Sequence, residues 1–138
     1  MIRDAVNSLF QHTCTTEGVT VRVSVNYMPE QSRVEQGRWF FVYHIRLENG
    51  REETIQLRTR HWRITDSCGS INVVDGEGVV GETPVLSPGR SHDYVSGCEL
   101  TTRHGAMEGH YTFAHQDGTL FNVTIPYFPL AAPMHDAI

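Results

Sequence analysis

The chain has 138 residues, of which 39% are hydrophobic and 20% are charged. This length and composition fit one globular domain with its own core, and they exclude an intrinsically disordered or fibrous protein. Eleven basic and 16 acidic residues leave a formal net charge of −5. The net charge therefore gives no indication that the protein binds nucleic acid or an anionic membrane.

The three cysteines, Cys14, Cys68 and Cys98, are odd in number and show no C-x-x-C spacing. This argues against a disulfide framework and against a thiolate zinc site, and it favours a reducing compartment. The first residues contain no apolar run typical of a signal peptide, and no stretch approaches the length of a transmembrane span. We therefore expect a single-domain cytoplasmic protein.

Apolar and polar residues alternate with period two through most of the chain, which predicts strands. The pattern is clearest at 19–27, where valines alternate with polar residues. Further strands are predicted at 39–49, 54–66, 71–74, 93–100, 107–114 and 119–125. Asn49-Gly50 is typical of a tight turn after the second strand. Pro126 and Pro129 are expected to end the last strand, because proline has no N–H for the ladder.

The strand at 54–66 contains a change of phase. Ile55 and Leu57 place the apolar side chains at odd positions, whereas Trp62 places them at even positions. A regular strand cannot bury both sets on one face. We therefore predict a β-bulge between Arg58 and His61.

Seven to eight short strands with turn signals between them, and no convincing helix of three turns, predict an all-β fold. The expected architecture is an antiparallel β-sandwich of the immunoglobulin-like or fibronectin type III kind. The cysteine pair of antibody domains is absent, which favours the fibronectin variant. An edge strand such as 19–27 could pair between subunits, so a monomer and a weak homodimer both remain open.

Gly76, Gly78 and Gly81 form a G-x-G-x-x-G motif, the spacing that binds pyrophosphate in dinucleotide-binding proteins. In those proteins a helix begins inside the motif, but here Pro84 follows and no amphipathic helix is predicted. Glu77 would repel a phosphate, and the chain contains no lysine. A tight inter-strand loop is the first interpretation, and a different kind of nucleotide or phosphate site is the second.

Arg60 and Arg63 lie on the predicted strand around the bulge, and guanidinium groups suit phosphate and carboxylate ligands. If this strand meets the glycine loop, both arginines are candidates for an anion site. If it does not, they belong to a solvated face. Trp62 pointing inward would place His61 and Arg63 together on the outer face.

No motif predicts a metal site, a catalytic site or a bound cofactor. The eight histidines are scattered and include no H-x-H or H-E-x-x-H spacing. No G-x-S-x-G sequence or ordered nucleophile, histidine and acid can be named. We therefore expect a protein that is not an enzyme.

Several segments combine spaced glycines, aromatic residues and prolines. They are Arg60-His61-Trp62-x-Ile64-x-Asp66, Gly76-x-Gly78-Val79-Val80-Gly81-x-x-Pro84, Tyr94-x-Ser96-Gly97, Gly105-x-Met107-x-Gly109-x-Tyr111 and Ile125-Pro126-x-Phe128. In this order they resemble the ApaG family. The resemblance covers residues 18–130, which leaves residues 1–17 as an N-terminal extension and residues 131–138 as a C-terminal tail.

The resemblance implies a fibronectin-type sandwich whose biochemical role is unsettled. Bacterial members are linked to cobalt resistance and magnesium efflux, and similar domains occur in a eukaryotic F-box protein and a polymerase-delta-interacting protein. We expect a non-catalytic binding module that mediates protein–protein interaction. The alternative is a small-ligand sensor that binds a nucleotide polyphosphate or a divalent-metal complex at the loop 76–81.

Overall fold

A computed structural model of the protein describes residues 9–134. Within these residues, the secondary structure consists of strands and two single turns of 3₁₀ helix, at Pro29–Gln31 and Val34–Gln36. The strands are β1 His12–Thr16, β2 Val19–Tyr27, β3 Trp39–Asn49, β4 Ile55–Asp66, β5 Ile71–Glu77, β6 Val85–Leu86, β7 Ser91–Leu100, β8 His104–Ala114 and β9 Leu120–Ala131. The described part of the chain has no helix long and apolar enough to cross a membrane.

The strands form two antiparallel sheets that pack face to face. One sheet has the order β1-β2-β3-β7, and the other has the order β5-β4-β8-β9 with the short β6 also paired to β4. The strand after β4 stays in the sheet of β4, whereas in a constant immunoglobulin domain it crosses to the other sheet. The predicted all-β sandwich is confirmed.

The core lies between the sheets because alternate residues of each strand point inward. Val19, Val21 and Val23 of β2 are completely buried, as are Ile45 and Leu47 of β3. The opposite sheet contributes aromatic side chains. These include Trp62, Tyr111, Phe113 and Phe128. The period-two patterns in the sequence therefore correspond to real core faces.

All seven strands named from the pattern are present, and the structure adds β1 and β6. The sequence of β1, His-Thr-Cys-Thr-Thr, has no apolar alternation, and this segment pairs with β2 along its whole length. As a result β2 lies between β1 and β3, and the expectation that 19–27 is an edge strand is wrong. Residues 1–8 of the predicted extension and 135–138 of the predicted tail lie outside the described residues.

The predicted bulge in β4 is confirmed and lies at Arg58. Leu57 pairs with Phe113 and Thr59 pairs with Thr112, which leaves Arg58 as the extra residue. The bulge changes the phase of the strand, so both Leu57 and Trp62 are buried.

The prediction that prolines end the last strand is wrong. β9 continues through Pro126 and Pro129 to Ala131. β9 pairs only with β8, and the register shifts where Pro126 and Tyr127 lie opposite Glu108. Prolines are tolerated at edge strands and bulges because these positions do not require every N–H in the ladder.

Candidate functional site

The two lateral sides of the sandwich differ in how they are covered. On one side β1 lies against β9, where the Thr124 amide donates to Thr16 Oγ1 at 3.1 Å and the His12 ring stacks on Phe128. On the other side β5 and β7 are the last strands of their sheets. No strand among residues 9–134 pairs with the outer edge of either one. This open side is the candidate site.

The backbone groups on the free edge of β5 follow from the ladder that β5 forms with β4. The Gly78 amide donates to the Arg58 carbonyl at 2.8 Å, and the Asp66 amide donates to the Ser70 carbonyl at 3.0 Å. Hydrogen-bonded pairs recur every two residues in an antiparallel ladder, so even-numbered residues of β5 bond to β4. The outward backbone groups of β5 are therefore the N–H and C=O of Ile71, Val73 and Asp75, together with the N–H of Glu77. The Glu77 carbonyl accepts from Arg60 Nη1.

The side chains of the same residues are exposed on the outer face of the sheet. Ile71 and Val73 are 50% and 52% exposed, and the Asp75 side chain is 69% exposed. Edge strands are commonly protected by lysine, proline or a bulge. β5 contains no lysine or proline, and its pairing with β4 shows no register shift.

The glycine motif follows directly on this edge. Gly76 lies within β5. Beyond it, the Val79 amide donates to the Glu82 carbonyl at 2.8 Å, and the Glu82 amide donates to the Val79 carbonyl at 3.0 Å. The two residues between them have φ values of 48° at Val80 and 78° at Gly81, as in a type I′ turn. The motif therefore forms a tight inter-strand turn, and the short strand β6 follows it.

The structure brings Arg60 together with part of this loop. Arg60 Nη1 donates to the carbonyl oxygens of Glu77 and Gly78, at 3.0 and 2.8 Å. A Cβ added at Gly76 would lie 2.6 Å from the Arg60 guanidinium, so the glycine leaves room for it. The exposed Gly81 lies beyond them, at the tip of the turn.

Arg63 does not join this group. It pairs with Val73 of β5 and Glu108 of β8, two positions from His61 on the same strand. Trp62 is buried between them, so His61 and Arg63 share the outer face, as the alternation predicts. The Arg60 guanidinium instead lies against Gly76 at the end of β5.

The polar groups of the loop bond to one another. The amides of Gly78, Val79 and Glu82 each donate to a backbone carbonyl of the protein, and Arg60 donates to two carbonyls. A phosphate site needs several amides that converge on the ligand. These contacts give the loop a structural role.

We expect that ATP or GTP at millimolar concentration, with and without Mg²⁺ or Co²⁺, will not shift the amide resonances of residues 76–82. The reason is that three of these amides already donate within the protein. The measurement is a heteronuclear NMR titration, and the amides of β2 provide an internal reference. Saturable shifts confined to 76–82 would contradict this expectation and would support the ligand-sensor hypothesis.

Buried tyrosines lie between the sheets near Arg60. The hydroxyls of Tyr94 and Tyr111 form a buried hydrogen bond. Burial raises the pKa of both hydroxyls, and it also raises the pKa of Tyr43, which Ser96 partly offsets by a hydrogen bond. Burial, with the nearby Glu99, raises the pKa of the Cys98 thiol to about 11. These groups stay protonated at neutral pH, so they act as core residues.

Three histidines bond to acidic side chains at separate places. His44 bonds to Asp93 at 3.0 Å, His115 bonds to Glu53 at 2.9 Å, and His61 bonds to Asp75 at 2.6 Å. The His61 and His110 rings are stacked, with centroids 4.9 Å apart. Within residues 9–134, no three histidine, cysteine or acidic side chains are placed to bind one metal ion.

Comparison with known proteins identifies the family. The model of the ApaG domain matches residues 29–115, and this segment contains the glycine turn and β5. The chain belongs to the ApaG family. It is 46% identical over 118 residues to Protein ApaG of Methylobacterium sp. (strain 4-46), covering 86% of this chain and 91% of that protein.

Two further relatives agree with this assignment. Protein ApaG of Pseudomonas aeruginosa (strain LESB58) is 48% identical over 119 residues, covering 86% of this chain and 94% of that protein. A Bordetella pertussis protein whose crystal structure was determined under the name ApaA superposes with a TM-score of 0.81. It is 41% identical, and the match covers 84% of this chain and 94% of that chain. The ApaG resemblance found in the sequence is confirmed.

Sequence reasoning did not identify Ile71, Val73 and Asp75 as candidate residues of this ApaG domain. The pattern predicts a strand at 71–74, but a strand alternates in the same way at an edge and in the centre of a sheet. The available signal was weak. It consists of two apolar residues, Ile71 and Val73, that lead into acidic positions without an intervening turn.

Proposed function

We propose that this ApaG-family protein is a non-catalytic binding module whose β5 edge binds an extended segment of a protein partner. The observation that carries the proposal is the row of outward backbone N–H and C=O groups at Ile71, Val73 and Asp75, continued by the N–H of Glu77. An extended segment that adds to a sheet edge gains main-chain hydrogen bonds along its length. The exposed apolar side chains of Ile71 and Val73 add buried area when a strand pairs there.

The opposite side of the sandwich supports the choice of β5. There, the edges of β1 and β9 contact each other through Thr16, Thr124 and the stacked pair His12 and Phe128. β5 has no comparable cover among residues 9–134. A partner strand could therefore extend the sheet β5-β4-β8-β9 without displacing any described part of the chain.

The proposal also accommodates the role that the resemblance implies. An influence on cobalt resistance and magnesium efflux would be exerted through the bound partner, because the described side chains form no cluster for a metal ion. We place this interaction in the cytoplasm. The protein itself would provide recognition, and the partner would provide the activity.

Replacing Val73 with proline is expected to reduce recovery of the partner from a cell lysate by about tenfold or more, which corresponds to about 1.4 kcal/mol. Proline removes the outward N–H of residue 73 and places a ring at the edge, but it does not remove a bond to β4. The measurement is quantitative affinity capture with tagged protein. Circular dichroism and thermal unfolding verify that the variant folds.

Val73→Thr is the matched control. Threonine keeps the outward N–H and the β-branched shape, so we expect capture close to that of the wild type. Partners that bind the wild type and the proline variant equally would contradict an edge-strand site. Failure to capture any partner above background across growth conditions would contradict the binding-module proposal as a whole.

A further inference from the structure

We infer that the strand recognised at β5 is apolar at one end and basic at the other, a deduction that depends on the binding-module proposal. Its residues opposite Ile71 and Val73 are apolar, and its residues opposite Asp75 and Glu77 are arginine or lysine. These four residues form the surface called the β5 edge.

The order of side chains along the β5 edge sets this chemistry. Two β-branched apolar residues come first, and two acidic residues come last, all on the outer face. In a paired strand the directly opposite side chains lie about 5 Å apart, and apolar pairs and opposite-charge pairs stabilise the pairing. Successive side chains on one face are about 7 Å apart. A matching strand therefore carries its four contacts at every second residue.

A groove continues the apolar end of the β5 edge towards β7. It has a volume of about 210 Å³, and its lining includes Ile64, Ile71 and Leu100. Asp66 and Glu99 also line it. Asp66 accepts from the amides of Cys68 and Ser70, and Glu99 bonds to Arg38 at 2.9 Å. The groove therefore offers apolar contact next to Ile71 for the end of the partner strand.

The acidic end is not neutralised by the cations near it. One oxygen of Asp75 bonds to His61 Nδ1, and the carboxylate stays largely exposed. Arg60 donates to the carbonyls of Glu77 and Gly78. Arg63 lies beside Val73, two positions from Asp75. Glu82, across the turn, is exposed and adds negative charge.

A second copy of this chain does not fit the β5 edge. Antiparallel pairing of two β5 strands over their full length would place Ile71 opposite Glu77 and Val73 opposite Asp75. Such pairs combine an apolar side chain with a carboxylate and leave all four acids without a cation. The charge order therefore favours a different chain.

The test is selection of binders from a display library of random peptides long enough to span β5, with the intact protein as the target. We expect enriched peptides to carry two apolar residues followed or preceded by two basic residues, at alternate positions. Binding of one synthetic enriched peptide is then measured by fluorescence anisotropy. Its matched probe has glutamate in place of each basic residue and should bind at least about tenfold more weakly.

Variants of the protein locate the charge contact. Glu77→Arg should lower the affinity for the enriched peptide by about fivefold or more at low salt, and added salt should reduce this difference. Glu82→Arg changes the net charge equally but lies off the strand, so it should have a much smaller effect. Val73→Pro should abolish binding of the peptide.

The outcomes separate the inference from the proposed function. The basic–apolar assignment would be overturned if the enriched peptides were acidic or wholly apolar. It would also be overturned if Glu77→Arg and Glu82→Arg lost equal peptide affinity. In either case strand addition would still hold, provided that Val73→Pro prevents binding. Peptides that bind regardless of Val73→Pro, or a library that yields no binder, would overturn both.

Discussion

Gly109→Ala is expected to destabilise the protein by about 3 kcal/mol, since it overpacks the centre of a sheet. Gly109 lies on β8 between Trp62 of β4 and Ile125 of β9. A Cβ at this position would overlap the carbonyl oxygen of His61 and would lie 3.2 Å from the Cα of Trp62. These are backbone atoms, so no change of rotamer can relieve the overlap.

The neighbouring strand has little freedom to move away. Trp62 is buried, and its ring packs against Tyr43 of the opposite sheet and Phe128 of its own sheet, with centroids 5.4 and 6.0 Å away. A shift of β4 would therefore disturb both sheets. Close packing makes such displacements costly. We expect the cost to appear as a lower free energy of unfolding.

Urea denaturation followed by tryptophan fluorescence measures this effect. Gly118→Ala is the control, because Gly118 has a φ of 91° but no atom within 4 Å of an added Cβ. That variant should lose only about 1 kcal/mol from backbone strain. Equal losses in both variants would show that the contact with His61 is not the cause.

Asn49→Ala is expected to cost about 3 kcal/mol of unfolding free energy, from three hydrogen bonds of about 1 kcal/mol each. Asn49 is 1% exposed. Its Nδ2 donates to the carbonyls of Glu53 and Leu86, both at 2.9 Å, and its Oδ1 accepts from the Arg51 amide at 2.9 Å. One side chain therefore connects β3, the loop before β4 and the short strand β6.

Asn26→Ala is the matched control, since Asn26 is an exposed asparagine on β2. Its replacement should change the free energy of unfolding by no more than about 0.5 kcal/mol. Thermal and urea unfolding of both variants provide the comparison. A small effect of Asn49→Ala would mean that water satisfies the three backbone groups after the side chain is removed.

Asn49 also illustrates where local sequence patterns are insufficient. Asn49-Gly50 is typical of a two-residue hairpin turn. In the structure, residues 50–54 separate β3 from β4, and the asparagine side chain is buried. Its bond to Leu86 joins residues 37 positions apart. A contact of this separation cannot be recognised from neighbouring residues.

The bulge at Arg58 shows the opposite case. Burial of both Leu57 and Trp62 on one strand is possible only with an extra residue between them. The periodicity of the sequence contains that information, because hydrophobic burial demands a single inward face. The same logic predicts most of the strands and the inward direction of side chains such as Val21, Tyr111 and Phe113.

The glycine motif is predictable from the sequence in part only. Its lack of a following helix is visible in the sequence, and the turn at Val80 and Gly81 agrees with that prediction. The bonds from Arg60 to Glu77 and Gly78 depend on β4 and β5 being neighbours. Through these bonds the guanidinium of the candidate anion site donates to the backbone of the protein itself.

The sequence by itself determined the class of fold, the inward face of most strands, the phase change in β4 and membership of the ApaG family. These properties arise from alternation over a few residues or from an ordered set of motifs. Only the tertiary structure decided which strands lie at the edges. β1 lacks apolar alternation but covers β2, and β9 continues through two prolines because it lies at an edge. The free edge of β5 likewise exists because no distant segment among residues 9–134 pairs there, and strand pairing depends on the whole arrangement of the sheet.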